Sequence, residues 1–118
     1  MIGAVVIGHG DLPLALVDAV FTIVGKQEKV VAISNRALSM DELKKRIQSA
    51  IKEMDDVVVF TDLPGGSCTI ACKALQIPVI TGVNLPMLLE FMLSREKTTV
   101  EEMVKKLTEV GREGIRRL

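Results

Sequence analysis

Four short apolar runs constrain this chain more than any other feature: "IGAVVI" at 2–7, "KVVAI" at 29–33, "VVVFT" at 57–61 and "IPVIT" at 77–81. None alternates apolar with polar residues. Successive side chains of a strand point to opposite faces, so a strand with one wet face alternates, and a run apolar throughout is covered on both. Helices over both faces are what a parallel sheet needs, and the intervals between the runs are long enough to supply them. The chain therefore reads as α/β, a doubly wound parallel four-stranded sheet of order 2-1-3-4 with helices on both faces. At 118 residues, with no internal repeat and no Pro/Ser-rich linker, it reads as a single domain spanning 1–118.

The intervals carry helical signals. Pro13 suits a first helical turn and Gly25 a C-terminal cap, which bounds the first helix. Ser39 and Glu42 form a capping box ahead of Met40, Leu43, Ile47, Ala50, Ile51 and Met54, spaced in steps of three and four. The third helix follows "DLPGGS" with Ser67 as its expected N-cap, and the fourth follows Pro86. The last begins at Thr98 or Thr99, each with Glu three residues on, and its apolar face, Val100 to Ile115 and Leu118, predicts a helix running to the C-terminus.

Charge and cysteine content narrow the function. Fifteen basic and fifteen acidic residues leave no positive excess to neutralise phosphates, so nucleic acid is excluded as an expected partner. No run approaches the roughly 20 apolar residues of a membrane span and no signal peptide is recognisable, so a cytoplasmic protein without direct membrane insertion is expected. Cys68 and Cys72 lie four apart on one expected helix, poorly placed for a disulfide and too few for structural zinc; they read as small buried residues.

In a doubly wound sheet, ligands bind beyond the carboxyl ends of the strands, where the strand order reverses. With order 2-1-3-4 that point lies between the first and third strands. "GHGD" follows the first and "DLPGGS" the third, so topology brings His9, the only histidine, and Asp62 to one crevice. A neutral imidazole is nucleophilic at its unprotonated nitrogen, and a carboxylate on the other nitrogen fixes the tautomer and stabilises developing positive charge. Gly65, Gly66 and Ser67 open a helix, so their N–H groups and the Ser67 hydroxyl would favour an anion. A histidine facing an anion site suits phosphoryl transfer. No Walker lysine motif or metal cluster accompanies it, so neither metal nor cofactor is expected, and the expected donor is a phosphorylated protein rather than ATP. Structural readings stand beside this one: a His–Asp hydrogen bond, and a plain strand-to-helix turn. Asp11 reads as a helix N-cap. Arg36 faces the same edge, within reach of a phosphate or simply solvated.

On these residues the chain resembles the enzyme IIA domain of the mannose family of the bacterial phosphoenolpyruvate-dependent sugar phosphotransferase system. The resemblance is carried by "VVIGHGDLPLALVDAVFTIVG", "VVVFTDLPGGSCTIA" and "VITGVNLPMLLE", in that order along nearly the whole chain. It implies that His9 receives a phosphoryl group from the phosphocarrier HPr and passes it to enzyme IIB, with membrane permease subunits served indirectly. It also implies that Asp62 orients the ring, and that Ser67 with the adjacent amides holds the phosphate. Pro64 and Cys68 depart from the aromatic and the proline many relatives carry there. Related domains feed a dihydroxyacetone kinase, but tend to have serines where Gly8 and Gly10 flank His9; a phosphorylation-dependent sensor is the third reading. "LPMLLEFML" at 85–93 is apolar nearly all round, which a homodimer or burial beneath the last helix would explain.

Overall fold

A computed structural model describes residues 1–118. Its elements are β1 (Gly3–Gly8), α1 (Leu12–Val24), β2 (Val30–Ser34), α2 (Met40–Ile51), β3 (Val57–Thr61), α3 (Ser67–Ala74), β4 (Val79–Thr81), α4 (Leu85–Ser94) and α5 (Val100–Glu113). All strand pairs are parallel, as the apolar runs predicted, and the sheet order is β2-β1-β3-β4, the order expected of the doubly wound sheet. β1 is buried along its whole length between its two neighbours.

Alternation along the strands divides the core in two. Ala4, Val6, Val58, Phe60 and Ile80 face one side, where they pack with Val17 and Val20 of α1, Leu88 and Phe91 of α4, and Met103 and Leu107 of α5. Val5, Ile7, Ile33 and Val59 face the other, against Leu43 and Ile47 of α2 and Cys68, Ala71 and Cys72 of α3. Phe60 and Phe91 meet edge to face, 5.4 Å between centroids, and burying such a ring contributes about 2 to 3 kcal/mol. Both cysteines are free and buried; burial, and then the neighbouring Cys68, push the Cys72 thiol up to about 12. They pack rather than react.

The helix ends agree with the sequence in part. Ser39 and Glu42 form the capping box, Thr99 caps α5, and Gly25 follows α1 in the left-handed region. Asp11 stands at the N-cap of α1 but its side chain makes no capping bond. Ser67 does not cap α3. Gly66 holds that place in extended conformation, and the first helical bond runs from the Ile70 N–H to the Gly66 carbonyl, 3.1 Å. α4 starts one residue before Pro86, capped by Asn84. α5 does not reach the C-terminus: it stops at Glu113, and Ile115 and Leu118 are exposed because no core lies beneath the continued apolar stripe.

The "GVNLPM" segment acquires a structural reason. Asn84 accepts the Met87 N–H (3.1 Å) and donates through Nδ2 to the Gly111 carbonyl (2.9 Å), so one side chain caps α4 and ties it to α5. Gly111 and Gly114 give Met87 and Pro86 the room to close that contact. α4 lies between α1 and α5 against the sheet, so its apolar faces are filled from within the chain and only Leu93 stands well clear, at 74% exposure. A second subunit is not needed to explain that helix. At its end Arg95, 2% exposed, donates to the Ile2 and Lys29 carbonyls at 3.0 Å each, pinning the amino edge of the sheet.

Candidate functional site

The chain runs outward from β1 to β2, then crosses back over β1 to β3. Two neighbouring strands therefore lead to loops that diverge, and the loops after β1 and β3 face each other at the carboxyl edge. His9 leaves β1 there and Asp62 leaves β3. The ring Nδ1 lies 2.7 Å from Asp62 Oδ2, and the His9 backbone N–H donates to the same oxygen at 2.9 Å. Asp62 Oδ1 accepts from its own neighbour, the Leu63 N–H, at 2.9 Å. Both carboxylate oxygens are thus engaged.

Burial alone would raise the Asp62 pKa, but the His9 backbone N–H, the ring hydrogen bond and the ring's charge outweigh it, and the carboxyl lies below its ordinary value. An ionised carboxylate only accepts hydrogen bonds. Nδ1 must then carry the proton in the neutral ring, leaving the lone pair on Nε2. The Asp62 side chain is 10% exposed and that of His9 48%, so the anchor is enclosed while the ring is open to partners.

Two glycines make this approach geometrically possible. A Cβ on Gly8 would lie 2.8 Å from Asp62 Oδ2, and one on Gly66 would lie 3.1 Å from His9 Cε1. Gly8 admits the carboxylate and Gly66 admits the ring. This is why a glycine caps α3, at only a few tenths of a kcal/mol against serine. The Gly66 N–H itself turns back to the Leu63 carbonyl, 3.3 Å, so the donors left at the start of α3 are the N–H groups of Ser67, Cys68 and Thr69, none with an acceptor in the protein. Gly65 sits in open space at the apex.

Beneath the turn lies a network that sequence reasoning missed. Thr69 Oγ1 donates to the Leu63 carbonyl at 2.6 Å, and Thr61 Oγ1 is 2.7 Å from Thr69 Oγ1. Because the Thr69 proton is used on Leu63, Thr61 donates to Thr69, and the end of β3, the turn and α3 form one chain of bonds. The only signal was two threonines in otherwise apolar stretches. Arg36, from the loop after β2, lies beside the site with its Nη1 3.4 Å from Asp11 Oδ1. No enclosed cavity surrounds His9; the concavities lie elsewhere, one of about 340 Å³ between β4 and α5 beside Thr81, Asn84 and Thr108.

The candidate site is thus a histidine–aspartate pair over a helix N-terminus, on the open carboxyl edge of a parallel α/β domain. Residues 3–108 match the EIIA-man family, described as PTS system fructose IIA component, and the chain belongs to that family of sugar phosphotransferase system components. It is 26% identical over 116 residues to the fructose-specific EIIA component of Bacillus subtilis (strain 168), covering 91% of this chain and 80% of that protein. It is 30% identical to the mannose-specific EIIAB component of Escherichia coli (strain K12), covering 98% of this chain but 39% of that longer protein. The crystal structure of the phosphotransferase system component EIIA from Streptococcus agalactiae superposes with a TM-score of 0.94 at 31% identity, over 99% of this chain and 97% of that one. No helix of the protein is long and apolar enough to cross a membrane.

Proposed function

We propose that His9 is the phosphoryl carrier of this component, charged by phospho-HPr and discharged to enzyme IIB. The observation that carries the proposal is the 2.7 Å contact of Asp62 with Nδ1, which leaves Nε2 as the nucleophile. In the charging step the Nε2 lone pair forms a bond to phosphorus as the donor's N–P bond breaks, its electron pair returning to the donor imidazole. The Nδ1 proton stays in its bond to Asp62, whose negative charge stabilises the imidazolium character that develops. Discharge is the same step reversed, with the acceptor's nucleophile on phosphorus.

The phosphoryl oxygens fit against the start of α3. The N–H groups of Ser67, Cys68 and Thr69 and the Ser67 hydroxyl supply donors, while Gly65 and Gly66 keep the approach clear. The exposed setting supports a protein donor. A nucleotide or sugar would be gripped in a pocket, whereas His9 stands on an open edge beside Leu12 and Leu63, themselves about half exposed. The relatives carry fructose and mannose in their names, and nothing in this chain's own residues selects between sugars, since sugar selection belongs to other components.

The test is charging with phosphoenolpyruvate, enzyme I and HPr, read by intact mass as an acid-labile gain of one phosphoryl group. The parent gains it and His9→Ala does not. Labelling of His9→Ala at the parent rate refutes the assignment, and a charged parent that no enzyme IIB of the same organism discharges refutes the transport role.

A further inference from the structure

We infer that Arg36 is a charge-responsive clamp for the phosphoryl group, held by Asp11 when His9 is bare and transferred to the phosphoryl oxygens when His9 is charged; this rests on the carrier role proposed for His9. The four strand-to-helix loops, 9–11, 35–39, 62–66 and 82–84, contain one basic residue, and it is Arg36. The same loops contain Asp11 and Asp62. A phosphoryl group brings a further charge of about −1.5 to −2, so charging concentrates negative charge on an edge with a single cation to meet it.

Arg36 is delivered to the right place by its loop. The Asn35 N–H donates to the Gly8 carbonyl at 2.9 Å, fastening this loop to the end of β1, one residue before His9. The Arg36 N–H is bound to Ser34 Oγ at 3.1 Å, and Ala37 takes a left-handed φ of 60°. The guanidinium then lies over the turn that follows His9: Nη2 is 3.2 Å from where a Cβ on Gly10 would stand. Gly10 has a φ of +58°, a backbone conformation that disfavours a side chain there.

The present partner is a weak one. Nη1 and Asp11 Oδ1 are 3.4 Å apart, longer than a good hydrogen bond, and the two side chains are 66% and 83% exposed. A dianion offering two oxygens to the guanidinium fork outcompetes a solvated monoanion at that range. Asp11 also has no capping bond to hold it to α1, so losing Arg36 costs the helix nothing.

The experiment charges the protein chemically with potassium phosphoramidate, which transfers its phosphoryl group to imidazole with release of ammonia and needs no partner protein. With one histidine in the chain, the adduct has a single address. The ³¹P chemical shift is then followed against pH in the parent, Arg36→Gln, Asp11→Asn and the double variant. A nearby cation favours the dianion, so Arg36→Gln raises the phosphoryl titration midpoint by about 0.5 to 1 unit, a three- to tenfold change. Asp11→Asn lowers it by less, and the double variant coincides with Arg36→Gln. A midpoint unmoved in Arg36→Gln overturns the inference. An Asp11→Asn effect of full size in the Arg36→Gln background also overturns it, because Asp11 then acts by direct repulsion. Absence of an adduct on His9 overturns the clamp and the carrier role together, whereas failure of HPr to charge a parent that phosphoramidate does charge refutes only the donor assignment.

Discussion

Replacing Asp62 by Asn tests the centre of the mechanism with almost no change in shape. Three N–H groups converge on the carboxylate, two from His9 on Oδ2 and one from Leu63 on Oδ1. An amide has one acceptor oxygen and a second atom that donates, so it satisfies His9 or Leu63 but not both. With oxygen toward His9, the ring keeps its tautomer and loses the charge that stabilises imidazolium, and the Leu63 N–H faces a donor. With nitrogen toward His9, Nδ1 must accept, the proton moves to Nε2, and the nucleophile is lost. Charge-assisted bonds are about twice as strong as neutral ones, so the milder arrangement costs about 1.4 kcal/mol and tenfold in rate; the second reaches about 4 kcal/mol and a thousandfold. Charging by phospho-HPr, quenched at intervals and read by intact mass, should fall between those bounds. A rate within threefold of the parent would refute the reasoning. Stability at neutral pH should fall by less than about 1 kcal/mol, because the Leu63 N–H lies where water can replace the lost acceptor. The pH dependence has a definite sign. The folded Asp62 pKa is lowered, so its contribution is complete above the ordinary Asp value and is lost as pH falls through the folded one. The urea midpoints of parent and variant should therefore converge in acid.

Three further outcomes follow from particular contacts. Gly66→Ala places a methyl 3.1 Å from His9 Cε1, and should slow chemical and HPr-driven charging several-fold while moving the thermal midpoint little; unchanged charging would show that the ring does not need the gap. Thr69→Val leaves the Leu63 carbonyl only the longer Gly66 N–H bond and removes the acceptor of the buried Thr61 hydroxyl, and should cost about 1 to 3 kcal/mol in urea unfolding, with Thr69→Ser restoring most of it. Cys68 and Cys72 are buried and their thiols are held protonated, so a disulfide reagent should modify them at neutral pH only as fast as the domain opens, and at once in denaturant; rapid native labelling would contradict the packing.

Much of this protein is written in local patterns. A run of Val and Ile without alternation demands cover on both faces wherever it sits, so the parallel sheet follows from 2–7, 29–33, 57–61 and 77–81, and the order 2-1-3-4 expected of a doubly wound sheet is the one observed. The Ser39–Glu42 capping box and the Gly25 stop are equally local, because their partners lie within one helical turn. Topology then sufficed to bring His9 and Asp62 to one edge before any distance was known.

What failed or stayed silent depended on partners distant in sequence. Ser67 is a better N-cap than Gly66 by local preference, and yields because the His9 ring, 57 positions earlier, occupies the space a side chain would take. The apolar stripe of α5 continues in sequence to Leu118, but the helix ends at Glu113 where the core beneath it ends. Nothing near Thr61 or Thr69 announces their shared bond, and nothing near Arg36 announces Gly10. The single histidine and its aspartate were legible in the sequence alone, since strand order fixes which loops meet. Which ring nitrogen is left without a partner was decided by tertiary structure, because a tautomer depends on which atom lies 2.7 Å away, and that is a property of packing rather than of spacing.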